Sequence, residues 1–355
     1  MPKRKTILVA PLYWGLGHAT RCIPIIQALA DHGFDVILAS DGPALLLLQK
    51  EFPEMEAMEL PSYNISYPKD GRFFKWKLLR NLPQIFSAVA SEKEIMQQLV
   101  TAGKIHGIIS DNRFGIRNEK VPSVFITHQV NVLSGSTSFF SSKINQNLIK
   151  KFDVCWVPDT QDALTNLSGK LAHSKGAPFP TEYIGILSRM QKRSLPIEID
   201  ILVLLSGPEP QRSMLEEILK NALGKSEKRV LMVRGIVEQN QKVENFKNIK
   251  VVNFMTSKAL ETAINQSKIV ISRSGYTTIM DLATLGKKAF FIPTPGQYEQ
   301  EYLAKRLKIL GVAPYCEQEK FNMEALEEIN EYKGFCTAEN AAVDFSELFS
   351  LFQGE

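Results

Sequence analysis

The sequence predicts an α/β protein of two doubly wound, Rossmann-like domains that face each other across a cleft. Three observations predict it. Short β-branched runs alternate with longer stretches of helical spacing, the pattern of parallel βαβ units. The alternation breaks off in the proline-bearing stretch 178–197 and then restarts. In both halves a glycine-bearing turn joins an apolar strand to a helix, which is where open parallel sheets bind ligands.

The elements follow in order. Residues 6–11 read as a buried strand, 15–17 as a loop, and 20–31 as a helix closed by Gly33. Strands are expected at 35–40, 107–110, 123–127 and 154–157. Pro178, Pro180 and Pro196 lie in a stretch of little periodicity. The linker is therefore placed at 181–197, between a first domain at 1–180 and a second at 198–337. The second domain opens with a strand at 200–205, a Gly/Pro loop at 206–211 and a helix at 213–223 with Ser213 as its N-cap. Further strands are expected at 229–233, 250–253, 269–272 and 289–292, and helices at 277–285 and 299–310, closed by Gly286 and Gly311. The segment 338–355 carries a helical pattern expected to pack back across the linker.

At 355 residues the chain can bury two cores. Its 44% hydrophobic and 23% charged content is that of an ordinary soluble protein, and a net charge of +4 does not argue for nucleic acid. Cys22, Cys155, Cys316 and Cys336 are scattered and form no CxxC pair, so reduced thiols in the cytoplasm are expected. The apolar run 7–12 is too short for a signal peptide and leads into a glycine loop. No apolar stretch approaches the ~20 residues that span a bilayer.

The sharpest chemical signal is in the second half. Ser272-Arg273-Ser274-Gly275-Tyr276-Thr277-Thr278 follows a short apolar strand and opens a helix. A glycine there lets backbone N–H groups approach an anion, and the helix N-terminus favours negative charge. Ser274, Thr277 and Thr278 offer hydroxyls to phosphate oxygens, and Asp281, about one turn on, suits vicinal ribose hydroxyls. A Ser-capped helix with a solvated Asp281 has the same local sequence. The next loop, Ile292-Pro293-Thr294-Pro295-Gly296-Gln297-Tyr298-Glu299-Gln300-Glu301-Tyr302, concentrates carboxylates, amides and tyrosine rings after another strand. These suit sugar hydroxyls and faces, and a capped Pro/Gly turn is the alternative.

From Asn253 to Leu307 the chain resembles the donor half of the MurG-like family 28 glycosyltransferases, which include peptidoglycan N-acetylglucosaminyltransferases and plant galactolipid synthases. The shared pattern is a strand, S/R-S/A-G-x-x-T, an acid in the helix, then I/V-P and an amide pair before an aromatic. This chain supplies SRSGYTTIMD and IPTPGQYEQEY. The resemblance implies the GT-B fold and a UDP-sugar co-substrate with no resident cofactor. It implies that Ser274, Gly275, Tyr276 and Thr277 face the diphosphate, with Arg273 also at the donor, and that Asp281 binds ribose. Gln297, Gln300 and Glu301 would serve the donor sugar, and the backbone at Phe254 and Met255 would read the base. Glu301 stands where the pattern has glutamine. The loop Ser206-Gly207-Pro208-Glu209-Pro210-Gln211-Arg212 also departs from the family's Gly-Ser-rich loop. Glu209 would repel phosphate unless turned away, while Ser206, Gly207 and Arg212 would contact the donor.

In the first half, Gly15-Leu16-Gly17-His18-Ala19-Thr20-Arg21 again follows a strand. Gly17 is expected to cradle phosphates, and His18 to act as general base, since imidazole titrates near neutrality. The GxGH loop of the same family supports that reading. Arg21 is open between a phosphate contact and the surface. Asp111 is the second candidate base. Asn112 and Arg113 after it, and His128 and Asn131 in THQVN, are expected at the acceptor, with strand-end capping as the alternative. THQVN resembles the family's HEQN segment in altered order.

The stretch 69–80, KDGRFFKWKLLR, mixes cations with aromatic residues and suits an anionic membrane surface, although a half-buried helix with lysine stems over apolar surface has the same composition. A cytoplasmic protein, peripheral on the inner membrane face, is the corresponding localisation. No DxD, HExxH or Cys/His cluster points to a metal. The expected function is metal-independent, inverting sugar transfer from a UDP-sugar to a hydroxyl, with lipid-linked or cell-envelope acceptors among the candidates. A nucleotide-sugar hydrolase or epimerase, or a non-catalytic nucleotide-sugar-binding subunit, remains as the alternative.

Overall fold

A computed structural model describes residues 4–64, 74–133, 135–162, 165–173, 177–207, 209–336 and 343–353. The side chains of residues 74–80 are outside that description, so the 69–80 membrane expectation falls largely beyond it.

Thirteen strands are present among the described residues. They are β1 (Thr6–Pro11), β2 (Asp35–Ser40), β3 (Glu56–Glu59), β4 (Gly107–Asp111), β5 (Ser123–Ile126), β6 (Val154–Val157) and β7 (Thr181–Tyr183). They continue as β8 (Ile199–Leu204), β9 (Val230–Val233), β10 (Val243–Phe246), β11 (Ile249–Val252), β12 (Ser267–Ser272) and β13 (Lys288–Phe291). The helices are α1 (Gly17–Asp31), α2 (Gly42–Glu51), α3 (Phe74–Thr101), α4 (Ser138–Ile149), α5 (Gln211–Leu223), α6 (Ser257–Asn265), α7 (Tyr276–Leu285), α8 (Tyr298–Ile309), α9 (Met323–Glu327) and α10 (Phe345–Gln353).

The strands form two sheets, in the orders β3-β2-β1-β4-β5-β6-β7 and β10-β11-β9-β8-β12-β13. All pairings in the first are parallel, and the second is parallel except for the β10–β11 hairpin at its edge. In each sheet the order reverses beside the first strand (β1/β4 and β8/β12). Such a switch point opens a crevice at the carboxyl ends of the strands. The glycine turn before α1 and the Ser274–Gly275 turn before α7 both sit at these ends. The two halves are therefore Rossmann-like domains facing across a cleft.

Some boundaries differ from the sequence reading. The stretch expected as linker begins with β7, which adds to the first sheet by pairing with β6. Among the described residues the C-terminal helix spans Phe345–Gln353, and 337–342, where the helical pattern was expected to begin, lie outside them. That helix returns to the first domain. Phe349 and Phe352 are buried and meet Phe34 and Trp156 edge-on or tilted, while Lys5 Nζ donates to the Phe352 carbonyl at 3.0 Å. Gly107 explains the fit: a Cβ there would stand 2.4 Å from the Phe352 ring.

Candidate active site between the domains

Gly15 precedes α1 with φ +84, a left-handed turn that L side chains resist. The turn delivers His18 to the first helical turn, beside the end of β4. His18 Nδ1 lies 2.8 Å from Asp111 Oδ1, and Asn112, at φ +61, places its amide 3.0 Å from the same oxygen. Asp111 is fully buried. Arg21, one turn after His18, is buried too and binds both Asp111 oxygens through Nε and Nη2. Burial alone would raise the Asp111 carboxyl, but Arg21 and then His18 hold it well below the usual carboxylate range. A permanent anion at Nδ1 assigns the His18 proton to that nitrogen and leaves Nε2 as the basic one. Arg21 is thus a brace for Asp111 rather than a phosphate ligand or a surface residue.

The network continues into the second domain. Arg21 Nη1 meets His128 Nδ1 at 2.7 Å. His128 Nε2 lies 2.7 Å from Glu299 Oε1, and Gln129 donates to the other Glu299 oxygen. The His128 ring stacks on Tyr276, with centroids 4.3 Å apart and planes at 10°. Burial lowers the His128 imidazole, which keeps it neutral. His128 therefore bridges the two domains.

The donor turn is equally committed. Thr277 Oγ1 donates to the Gly17 carbonyl at 3.0 Å, so the two glycine turns touch. A Cβ at Gly275, by contrast, would meet open space, and the turn presents the α7 N-terminus to it.

Several residues expected to touch substrate carry structural hydrogen bonds. Arg273 is fully buried and donates to the carbonyls of Ile292, Pro293 and Gln211 and to Gln318 Oε1, at 2.6–3.0 Å. Burial pushes its guanidinium down to about 10. Ser274 donates to the Gln300 carbonyl at 2.8 Å, and Tyr276 to the Pro158 carbonyl at 2.9 Å. Arg113 is fully buried between Glu92 (3.0 Å) and Asp41 (3.1 Å), and Asn131 holds the Lys170 and His173 carbonyls. In each case the interior needs that hydrogen bond to avoid an unpaired polar group. At Phe254 the N–H donates to Asn253 Oδ1 and the carbonyl accepts from Gln241. Met255 beside it is half-buried against the core.

Other expected residues stay near the cleft. Asp281 accepts from Ser188 Oγ at 2.7 Å, and burial raises its carboxyl against the pull of Arg189. Gln300 Oε1 accepts from the Thr294 N–H at 2.8 Å and Glu301 Oε1 from the Gly296 N–H at 3.0 Å, which shapes the loop that Gln297 ends as N-cap of α8. Ser206 is exposed, Gly207 turns at φ +90, and Arg212 is spent on Glu209, at 3.1 Å from its Nε. That pair removes the repulsion Glu209 would present. A cavity of ≈ 640 Å³ opens on the flank of the 293–298 loop, with Leu133 and Gly135 on one side and Tyr298, Glu301 and Lys305 on the other.

Two functional candidates escaped the sequence reading. Glu299 lay among several acids of one loop, with no local cue to a partner 171 residues away. Arg189 sits in the aperiodic linker. Its Nε and Nη1 are buried without a hydrogen-bond partner, beside Asp281.

A family model, the glycosyltransferase family 28 C-terminal domain, matches residues 202–331, the part that carries Gly275, Asp281 and Gln300. Residues 202–331 of the second domain are thus similar to that family's C-terminal domain. The chain is also 26% identical over 356 residues to UDP-N-acetylglucosamine--N-acetylmuramyl-(pentapeptide) pyrophosphoryl-undecaprenol N-acetylglucosamine transferase of Haemophilus influenzae (strain PittEE), a match covering 95% of this chain and 92% of that protein. The protein of the same description from Buchnera aphidicola is 27% identical over 62% of this chain. Among solved structures, Acinetobacter baumannii MurG superimposes with a TM-score of 0.56 at 17% identity, covering 99% of each chain. The glycotransferase of kitacinnamycin does so with a TM-score of 0.63 at 14% identity, over 100% of this chain and 94% of that one. The matched domain and its partner domain together have the GT-B fold, and the chain is a glycosyltransferase. Among the described residues no group of three His, Cys, Asp or Glu side chains is placed to hold a metal, and no helix is long and apolar enough to cross a membrane.

Proposed function

We propose that the protein transfers a sugar from a UDP-activated donor to an acceptor hydroxyl, with inversion, using His18 as general base. The observation that carries this reading is the 2.8 Å contact of His18 Nδ1 with a buried, Arg21-braced Asp111, one residue from the Gly17 carbonyl that Thr277 binds. It sets a basic Nε2 beside the turn read as the donor site. The base takes the acceptor proton as the hydroxyl oxygen attacks the anomeric carbon and the sugar–phosphate bond breaks. UDP leaves with the bonding pair. The α7 N-terminus at Gly275 and the Arg189 guanidinium, whose Nε and Nη1 are unpartnered, supply positive potential for that diphosphate without a metal, as preorganised electrostatics. Asp281, beside Arg189, is suited to ribose hydroxyls.

The relatives that carry the undecaprenol-linked description act on a lipid-linked acceptor, and we extend that class to this chain. Supporting it, Phe139, Phe140 and Ile144 on α4 are 72%, 70% and 62% exposed, next to Lys143. Apolar side chains beside a cation suit a membrane headgroup layer, as does the composition of 69–80.

The test is a thermal-shift panel of nucleotides and nucleotide sugars, followed by UDP release with polyprenyl-linked acceptors. Ligand binding stabilises by mass action. Selective stabilisation by UDP and one UDP-sugar is expected, and no shift with any uridine nucleotide at millimolar levels would refute the reading.

A further inference from the structure

The polar chain that ends on His18 in the first domain begins in the second. Both oxygens of Glu299, in the first turn of α8, are held by the first domain, one by His128 Nε2 at 2.7 Å and the other by Gln129. Accepting there places the His128 proton on Nε2 and leaves a lone pair at Nδ1, into which Arg21 Nη1 donates at 2.7 Å. Arg21 Nε and Nη2 bind both oxygens of Asp111, Nη2 also lying 2.9 Å from His18 Nδ1, and Asp111 holds His18. The groups facing His128 are Arg21 and His18 from α1, Glu299 from α8 and the Tyr276 ring from α7. Two of the four belong to the other domain. With the cleft open, neither the Glu299 acceptor nor the Tyr276 stack exists.

We propose that Glu299 is a positioning residue that couples closure of the cleft to the orientation of the His18–Asp111 pair. The inference rests on reading His18 as the base. Without Glu299 the imidazole is free to carry its proton on Nδ1, which sets donor against donor at Arg21. Arg21 must then turn, and Asp111 loses part of the grip that aims His18. The base is aligned only when the donor-bearing domain has closed, a gating that withholds activation from water in the open cleft.

The test uses the full chain with UDP-N-acetylglucosamine and a polyprenyl-linked acceptor, comparing Glu299→Ala, Glu299→Gln, His18→Ala and the Glu299→Ala/His18→Ala double variant. Glu299→Ala should lower kcat by about 3–30-fold, with UDP-induced thermal shifts preserved. Glu299→Gln, which keeps an oxygen for His128 Nε2, should fall between it and the wild type. In the His18→Ala background the Glu299→Ala effect should shrink to within about twofold, because it acts through a residue already removed. Imidazole ¹⁵N spectra, with His128 assigned by its Gln variant, give a readout apart from turnover: Nε2–H in the wild type and a mixture in Glu299→Ala. An equal penalty in both backgrounds, or an unchanged tautomer, overturns the proposal. Wild-type turnover in His18→Ala would instead overturn the base assignment, and the tautomer measurement would still decide the coupling.

Discussion

Thr277 Oγ1 donates a hydrogen bond to the Gly17 carbonyl across 260 residues of sequence, joining the glycine turn of one sheet to that of the other. The contact fits closely, since a Cβ on Gly17 would lie 3.3 Å from that oxygen. It sets the distance between the donor turn and His18. Thr277→Val keeps the shape and loses the bond. About 0.5–1.5 kcal/mol of closure is lost, so the donor KM should rise by a few-fold with kcat less affected, as steady-state kinetics would show. An unchanged KM would mean that the bond does not contribute to donor capture.

His18→Ala should reduce turnover by about 10²–10⁴-fold with little change in UDP affinity. Single-turnover rates and thermal shifts measure the two separately. A fall in affinity equal to the fall in rate would assign His18 to donor binding instead.

Asp281→Ala removes the carboxylate that Ser188 and Arg189 surround. If it binds ribose, UDP affinity should weaken by about 10–150-fold, the worth of hydrogen bonds to a charged group. Titration calorimetry with UDP reads this directly, and wild-type affinity would leave Asp281 as a brace for the linker.

Arg113→Met tests a residue moved from binding to structure. It leaves Glu92 and Asp41 buried without their cation, which should destabilise the first domain by about 3–5 kcal/mol. Urea denaturation should show the loss, and a drop in acceptor affinity with unchanged stability would restore the original reading.

His128 supplies a pH dependence. Burial holds its imidazole below the unfolded value of about 6.5. As pH falls the unfolded chain takes the proton first, so stability fully present above about pH 6.5 is lost as pH drops below it. The difference in Tm between about pH 7.5 and pH 5.5 should be smaller in His128→Gln than in the wild type. An equal difference would show that His128 is not buried neutral.

What the sequence determined by itself was the local grammar. Period-2 and period-3.6 patterns, with glycine at the turns before α1 and α7, specify strands, helices and the sheet ends where ligands bind, because those signals depend on neighbours a few residues away. The strand-end and helix-start positions of His18, Asp111 and Gly275 were legible for that reason. The roles of the arginines were not. Arg21, Arg113 and Arg273 look like ligand-binding cations at strand ends and helix starts. Whether a guanidinium meets an anion from solvent or from the protein depends on Asp111, Glu92 or the Gln211 and Ile292 carbonyls arriving from distant elements. Glu299 shows the same limit across the cleft, since its partner His128 lies on the other domain. Only tertiary structure decides such pairings: a buried charge needs a specific partner, and long-range packing chooses it.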